Sequence, residues 1–223
     1  MFDEDVHSWP QKGDRLFTVD GDWRDFARLN SQRDNLSLYA VGYKLAGDKL
    51  VESVTMNQKN HDTLVFPIAS LYRHYLELRL KQLIRDGSQI LNTPLDFPKS
   101  HDFDSLWEQC KPILERIAPK ALSIEADVVH QTLEAIGELL AEFAALDADS
   151  MAFRYPTDKH NKALLSNVSD INLRHLAETM NKMERFLEKI AWPVSVSAEQ
   201  KRAMNSPIRD VCGTPSPNPM KSP

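Results

Sequence analysis

The stretch HDTLVFPIASLYRHYLELRLKQLIRDG, residues 61–87, carries the strongest helical pattern in the sequence. Apolar and aromatic side chains recur along it at steps of three and four and form two neighbouring stripes. The stripes comprise Leu64, Ile68, Leu71, Tyr75 and Leu78, and then Tyr72, Leu76, Leu80 and Leu83. Two adjacent stripes make a wide buried face, as expected of a central helix in a bundle. Gly87 is expected to end this helix, because glycine favours the left-handed backbone found after many helices.

Four further segments with helical periodicity flank the long helix in the sequence. They cover residues 36–54, 101–117, 123–146 and 170–191, with Ser123 expected to cap the third of them. Residues 153–155 are expected to form a short extended turn before the last helix. The sequence therefore predicts an all-α fold, a helical bundle of about five helices.

Composition divides the chain into three parts. Residues 1–35 mix Trp, Pro and Gly with many charges and predict an irregular segment. Residues 36–192 carry the predicted bundle. Residues 193–223 are rich in Pro, Ser, Asn and Lys, which is typical of a disordered tail.

Charge and cysteine content restrict the function classes. The net charge of −5 argues against a protein that grips RNA or DNA over a broad face, although it allows a local site. No apolar run is long enough for a membrane span, and the acidic start MFDEDVHSWP lacks the pattern of a secretory signal. The two cysteines have no paired spacing, which favours a cytoplasmic protein over a disulfide-bonded one.

Several familiar site motifs are missing from the sequence. It contains no glycine-rich phosphate loop, no HExxH and no nucleophile elbow. The seven histidines show no metal-ligand spacing with one another. We therefore expect neither a cofactor nor a metal site.

The segment YRHYLELRLK, residues 72–81, carries a polar strip on the long helix. Arg73, Glu77 and Lys81 follow one another at steps of four, and His74 lies almost on the same strip. One interpretation is a surface stripe of weak ion pairs. The alternative is a strip that faces an interior cleft, where Glu77 orients a cation and His74 exchanges a proton.

The segment FRYPTDKH, residues 153–160, is the second candidate site. RNA cleavage without a metal needs a base for the ribose 2′-hydroxyl and a fixed cation for the phosphate, and His160 and Arg154 have those chemistries. The alternative is structural. Arg154 would then pair with Asp158 or with the predicted helix at residues 123–146, where acids occur without any Lys or Arg, and His160 would be a solvated loop residue.

The motifs LYRHYLELRLKQLI, HDFDSLW and FRYP, followed by a final amphipathic helix, resemble those of bacterial HEPN-like helical proteins. The preceding LYAVGYKLAGDKLV is also similar, so the resemblance covers about residues 36–191. It implies a compact helical bundle that often dimerises. Many members are metal-independent ribonucleases of toxin–antitoxin or antiphage systems, and others are non-catalytic binding modules.

The resemblance also implies roles for particular residues. Active members carry an Arg and a His separated by four to six residues, which Arg154 and His160 match. They often carry an acid followed four residues later by a base, which Glu77 and Lys81 match. His160 would then be the general base and Arg154 the phosphate clamp. The expected partners are RNA, a protein such as an antitoxin, and a second copy of the chain.

Overall fold

The computed structural model describes residues 9–29, 35–93, 95–147 and 149–205. The chain divides into an N-terminal unit, Met1–Asp34, and a larger unit that begins at Asn35. In the described part of the N-terminal unit, the single regular element is one turn of 3-10 helix, Trp23–Asp25.

Five α-helices form the described part of the larger unit. They are α1 (Asn35–Asn57), α2 (His61–Ile90), α3 (Phe103–Leu122), α4 (Ala126–Leu146) and α5 (Leu173–Asn205). The described residues contain no strand. In the segment that connects α4 to α5, Thr157 and Ala163 form an isolated antiparallel β-bridge. The predicted all-α bundle is therefore confirmed. In the described part of the chain, no helix is long and apolar enough to cross a membrane.

Helix α2 is the central element, as the two apolar stripes predict. It packs against α1, α3 and α5, while α4 packs on α3. Tyr72, Tyr75 and Leu80 of α2 are fully buried in one core that includes residues of all five helices. Burial of this apolar surface is the main source of the bundle's stability.

Two predicted helix ends are wrong, because packing outweighs local signals. Gly87 does not end α2, which continues to Ile90. A Cβ atom at Gly87 would lie 2.4 Å from Cγ2 of Ile113, so this glycine allows α2 and α3 to approach closely. Ser123 does not cap α4. It ends α3 in a left-handed conformation with φ of 55°, and Glu125 precedes α4 without a side-chain cap.

The expected tail boundary at residue 193 is also wrong. Helix α5 continues through Pro193 to Asn205. Val194 and Ala198 are buried on the same face as Ile190, at successive steps of four. Nζ of Lys201 donates to the carbonyl of Gln89 at 2.7 Å and so holds α5 against the end of α2. The remainder of the predicted tail, residues 206–223, lies outside the described residues.

The predicted extended turn at residues 153–155 is replaced by a hydrogen-bonded turn. The backbone N–H groups of Arg154 and Tyr155 donate to the carbonyl of Met151 at 3.0 and 2.9 Å. Oδ1 of Asp147 accepts from the backbone N–H groups of Met151 and Ala152 at 2.6 and 2.7 Å. These bonds curl the chain directly after α4, so the backbone there is not extended.

A buried polar network joins α1, α2 and α5. The Lys44 ammonium is buried and lies 2.7 Å from Oδ2 of Asp48, 3.0 Å from Oε2 of Glu184 and 2.6 Å from Oδ1 of Asn181. The Tyr72 hydroxyl donates to Oδ1 of Asp48 at 2.8 Å. The buried Lys44 ammonium and the buried Tyr72 hydroxyl therefore both have partners, as buried polar groups require.

Candidate functional site

The polar strip of α2 is buried, so its interpretation as a surface stripe is wrong. Arg73, Glu77 and Lys81 are all at most 5% exposed. Oε1 of Glu77 lies 2.9 Å from Nζ of Lys81, and Oε2 lies 3.3 Å from Nη1 of Arg73. One buried carboxylate therefore holds two buried cations along a single helix face.

His101 completes the surroundings of Glu77 from the connector before α3. Its Nδ1 lies 2.8 Å from Oε1 of Glu77. Its backbone carbonyl accepts a hydrogen bond from Nη2 of Arg73 at 2.9 Å. The side chain is 66% exposed, so an imidazole open to solvent is fixed at one nitrogen by a buried carboxylate. If Nδ1 carries the proton shared with Glu77, Nε2 holds the lone pair.

Asp147 attaches the loop after α4 to the same cluster. Its Oδ2 lies 3.3 Å from Nε of Arg73, and its backbone carbonyl accepts from the same nitrogen at 3.2 Å. The Arg73 guanidinium also lies over the Phe103 ring, 4.7 Å from its centroid. Because Asp147 also caps the turn that precedes Arg154, it fixes the position of that turn relative to α2. We refer to Arg73, His74, Glu77, Lys81, His101 and Asp147 as the Glu77 cluster.

The electrostatics of Glu77 follow from its partners. Burial alone would raise the pKa of its carboxyl group. The bonds from Lys81 and His101 outweigh burial and hold the pKa below its ordinary value. Glu77 is therefore an anion at neutral pH and is suited to orienting a histidine rather than to exchanging protons itself.

His74 is the second histidine of the cluster. It is half-buried, and its ring meets the Tyr43 ring edge-on with 4.3 Å between centroids. Burial lowers its pKa, and the charges of Lys81, Arg154 and Arg73 lower it further, against the opposing effect of Glu77. His74 is therefore neutral at neutral pH.

Arg154 lies close enough to the cluster for its charge to act on two members. That charge lowers the pKa of Arg73, on which burial has the larger effect, as well as the pKa of His74. The Arg154 side chain is exposed, and its Nε donates to the carbonyl of Ser150 at 2.5 Å. Its guanidinium is accessible to a ligand from solvent.

His160 lies in the exposed loop after this turn. Its backbone N–H donates to Oδ1 of Asp158 at 2.7 Å. In the part of the chain that the structure describes, no hydrogen bond or ion pair joins His160 to Arg154 or to Glu77. Three of the four sequence-predicted site residues, Glu77, Lys81 and Arg154, are thus at or beside one cluster, and His160 is not among their contacts.

Two members of the cluster, His101 and Asp147, are not among the sequence-predicted site residues. His101 directly precedes Asp102, whose side chain caps α3 by accepting from the backbone N–H of Ser105 at 2.9 Å. Because this cap fixes the backbone at Asp102, the backbone of the neighbouring His101 is fixed as well. The capping pattern in HDFDSLW is the sequence signal that could have identified His101. Asp147 belongs to a run of acids, residues 125–149, whose pattern is typical of a solvated helix face, and nothing in the local sequence distinguishes it from the other acids.

Among the described residues, no group of three or more His, Cys, Asp or Glu side chains is arranged to hold a metal ion. No family model, curated protein or solved structure matches the chain. The geometry of the Glu77 cluster is therefore the basis for assigning a function to this protein.

Proposed function

We propose that the protein is a metal-independent endoribonuclease of a bacterial toxin–antitoxin or antiphage system, as the HEPN-like resemblance implies. His101 is the general base, Arg154 is the phosphate clamp, and Glu77 and Lys81 are positioning residues. The observation that carries the proposal is the 2.8 Å contact between Nδ1 of His101 and Oε1 of Glu77. An exposed imidazole oriented by a buried carboxylate is suited to taking a proton from a substrate in solvent.

The reaction is a transfer within the RNA chain. Nε2 of His101 takes the proton of a ribose 2′-hydroxyl, and the 2′-oxygen forms a bond to the adjacent phosphorus. The bond from phosphorus to the 5′-oxygen of the next nucleotide breaks, and that oxygen takes a proton from water. The hydroxide that this leaves takes the proton held by His101, which returns to its neutral form. The products are a 2′,3′-cyclic phosphate and a 5′-hydroxyl end.

Arg154 provides the charge that this reaction requires. Negative charge grows on the phosphate oxygens as the 2′-oxygen attacks, and a guanidinium stays protonated and donates in a planar fork. The exposed position of Arg154 beside the cluster suits contact with a phosphate. Lys81 has a different role, because it is buried and bonded to Glu77, where it keeps the carboxylate ionised.

The test is cleavage of single-stranded RNA by the pure full chain in excess EDTA. We expect the wild type to leave cyclic phosphate ends, and the His101→Ala and Arg154→Ala variants each to lose about a hundredfold or more in rate. His160→Ala distinguishes His101 from His160 as the general base. We expect this variant to retain activity. His130→Ala, which removes an exposed histidine contacting Glu115, is the matched surface control.

Two results would overturn the assignment in different ways. If the folded wild type cleaves none of a broad set of RNAs, the protein is not a nuclease. Loss of cleavage in His160→Ala, together with full activity in His101→Ala, would show that the general base is His160 in the loop after α4.

A non-catalytic binding module is the alternative, and the exposed face of α4 favours it. Glu138 and Glu142 are exposed on this helix, and its sequence contains no Lys or Arg. Such a face complements a basic protein partner. A partner that co-purifies with the native chain and is released by reversing the charges of Glu138 and Glu142 would support this function. The homodimer and the cytoplasmic location remain parts of the proposal.

A further inference from the structure

A cavity of about 340 Å³ lies between α4, α5 and the segment that leads into α5. Its walls are mainly apolar. They include Ala69, Leu139, Phe143, Phe153, Leu176 and Met183. A concave, largely apolar space of this size is typical of small-molecule sites.

Two carboxylates lie among these walls, beside the side chains of Asn172, His175 and Thr179. Glu142 of α4 and Asp170 of the segment before α5 both line the cavity, and both side chains are exposed. None of the ion pairs and side-chain hydrogen bonds of the described residues involves either carboxylate. No Lys or Arg is among the residues that line this cavity. An occupant with a positive charge would gain two partners, whereas an anion would meet two like charges.

The cavity is distinct from the Glu77 cluster, although it is close to it along the chain. Phe153 lines the cavity and precedes Arg154, and Leu146 lines it and precedes Asp147. None of the six cluster residues lines the cavity. The inference drawn from it therefore does not depend on the nuclease function.

We propose that this cavity binds small, flat apolar molecules that carry an ammonium group. The ring system occupies the space between Leu139, Phe143 and Met183, and the ammonium group lies at Glu142 and Asp170. The apolar walls supply most of the affinity, and the two carboxylates supply the preference for a cation.

The test compares three naphthalene compounds with the full chain. They are 1-(aminomethyl)naphthalene as the cation, 1-naphthalenemethanol as the neutral compound and 1-naphthaleneacetate as the anion. Affinities are measured by calorimetry at low salt, where charge effects are least screened. We expect the cation to bind about tenfold or more tightly than the anion, with the neutral compound between them.

Two variants separate the carboxylates of the cavity from the general charge of α4. The pair Glu142→Gln with Asp170→Asn is expected to reduce the cation preference to about threefold or less and to leave binding of the neutral compound unchanged. Glu138→Gln, on the same helix but away from the cavity, is the matched control and is expected to keep the preference. Both changes are at exposed positions, so the fold is retained.

The location is tested by methyl NMR of the methionines. Met180 and Met183 line the cavity and are almost fully buried, and Met56 of α1 is exposed. The cation is expected to shift the Met180 and Met183 signals and to leave Met56 unchanged. Equal affinity for cation and anion, full preference in the double variant, or shifts confined to Met56 would each overturn the proposal.

Discussion

Nδ1 of His101 lies 2.8 Å from Oε1 of Glu77, so a solvent-exposed imidazole from the connector before α3 is bonded to a buried carboxylate in the middle of α2. The same carboxylate oxygen lies 2.9 Å from Nζ of buried Lys81. Glu77 thus connects the interior of the bundle to the surface that the proposed reaction uses. Its removal should affect both stability and chemistry.

Glu77→Gln is expected to lower the free energy of unfolding by about 3 kcal/mol, because it removes the carboxylate that pairs with buried Lys81 and leaves buried Arg73 with Asp147 as its remaining carboxylate. The measurement is urea unfolding near neutral pH. Glu138→Gln, which changes an exposed acid of α4, is the control and is expected to stay within about 0.5 kcal/mol of the wild type. Equal stability of the two variants would show that the buried charges do not depend on Glu77.

Acidification is expected to destabilise the fold in two successive ranges of pH. Burial first, and then the neighbouring cations, lower the pKa of His74 below its ordinary 6.5. Below 6.5 the unfolded chain therefore binds a proton at this position that the folded chain does not, and stability falls as the pH decreases. The pKa of Glu77 lies below its ordinary 4.5, despite burial, because of Lys81 and His101. Its contribution is present above 4.5 and is lost as the pH falls through the folded pKa.

Urea unfolding in the range between neutrality and the ordinary pKa of Glu77 isolates the histidine effect. His74→Gln is expected to lose less stability over that range than the wild type does. His160→Gln, at an exposed loop position, should follow the wild type. If the free energy of unfolding had the same pH dependence in all three proteins, the loss of stability in this range would not come from His74.

Arg154→Ala is expected to raise the pKa of His74 toward 6.5, because the guanidinium charge contributes to its lowering. NMR titration of the imidazole signal measures this without any assay of activity. Arg154→Lys keeps a positive charge at the position and is expected to leave the pKa closer to that of the wild type. An unchanged pKa in Arg154→Ala would place the Arg154 side chain away from the cluster in solution.

Gly87→Ala is expected to destabilise the protein by about 1–3 kcal/mol, although alanine favours helices. The added Cβ would lie 2.4 Å from Cγ2 of Ile113, an atom next to the α3 backbone that has little freedom to move away. Gly42→Ala is the matched control, because a Cβ there meets no atom within 4 Å. It is expected to stabilise α1 by up to about 1 kcal/mol. Thermal or urea unfolding should therefore show a lower stability than the wild type for Gly87→Ala and a higher stability for Gly42→Ala.

Tyr72→Phe is expected to cost about 1 kcal/mol, since it removes the hydrogen bond that the hydroxyl donates to Asp48. Tyr75→Phe is the contrasting change, because the buried Tyr75 hydroxyl has no hydrogen-bond partner among the described residues. Its removal should be nearly neutral or stabilising. Both rings are fully buried, so the pair isolates the hydroxyl contribution. Equal unfolding free energies of the two variants would contradict the predicted contribution of the Tyr72 hydrogen bond.

Residues 61–87 were sufficient to predict the central helix, because its two apolar stripes follow the period of an α-helix over many turns. Helix ends were less predictable. Gly87 and Pro193 are strong local stop signals, yet α2 and α5 continue past them. At both places, burial against a neighbouring helix outweighs the local cost, which is about 1 kcal/mol for a glycine and about 3 kcal/mol for a proline inside a helix.

The periodic pattern of the amino-acid sequence is enough to specify a helical bundle with a charged strip on its central helix, since both features are local. The burial of that strip, and the contacts that His101 and Asp147 make with it, arise from tertiary packing. Those contacts link residues 24 and 74 positions apart in the chain. Spacing along a sequence carries no information on such contacts, because helix packing and a capped turn, not chain distance, bring these groups together.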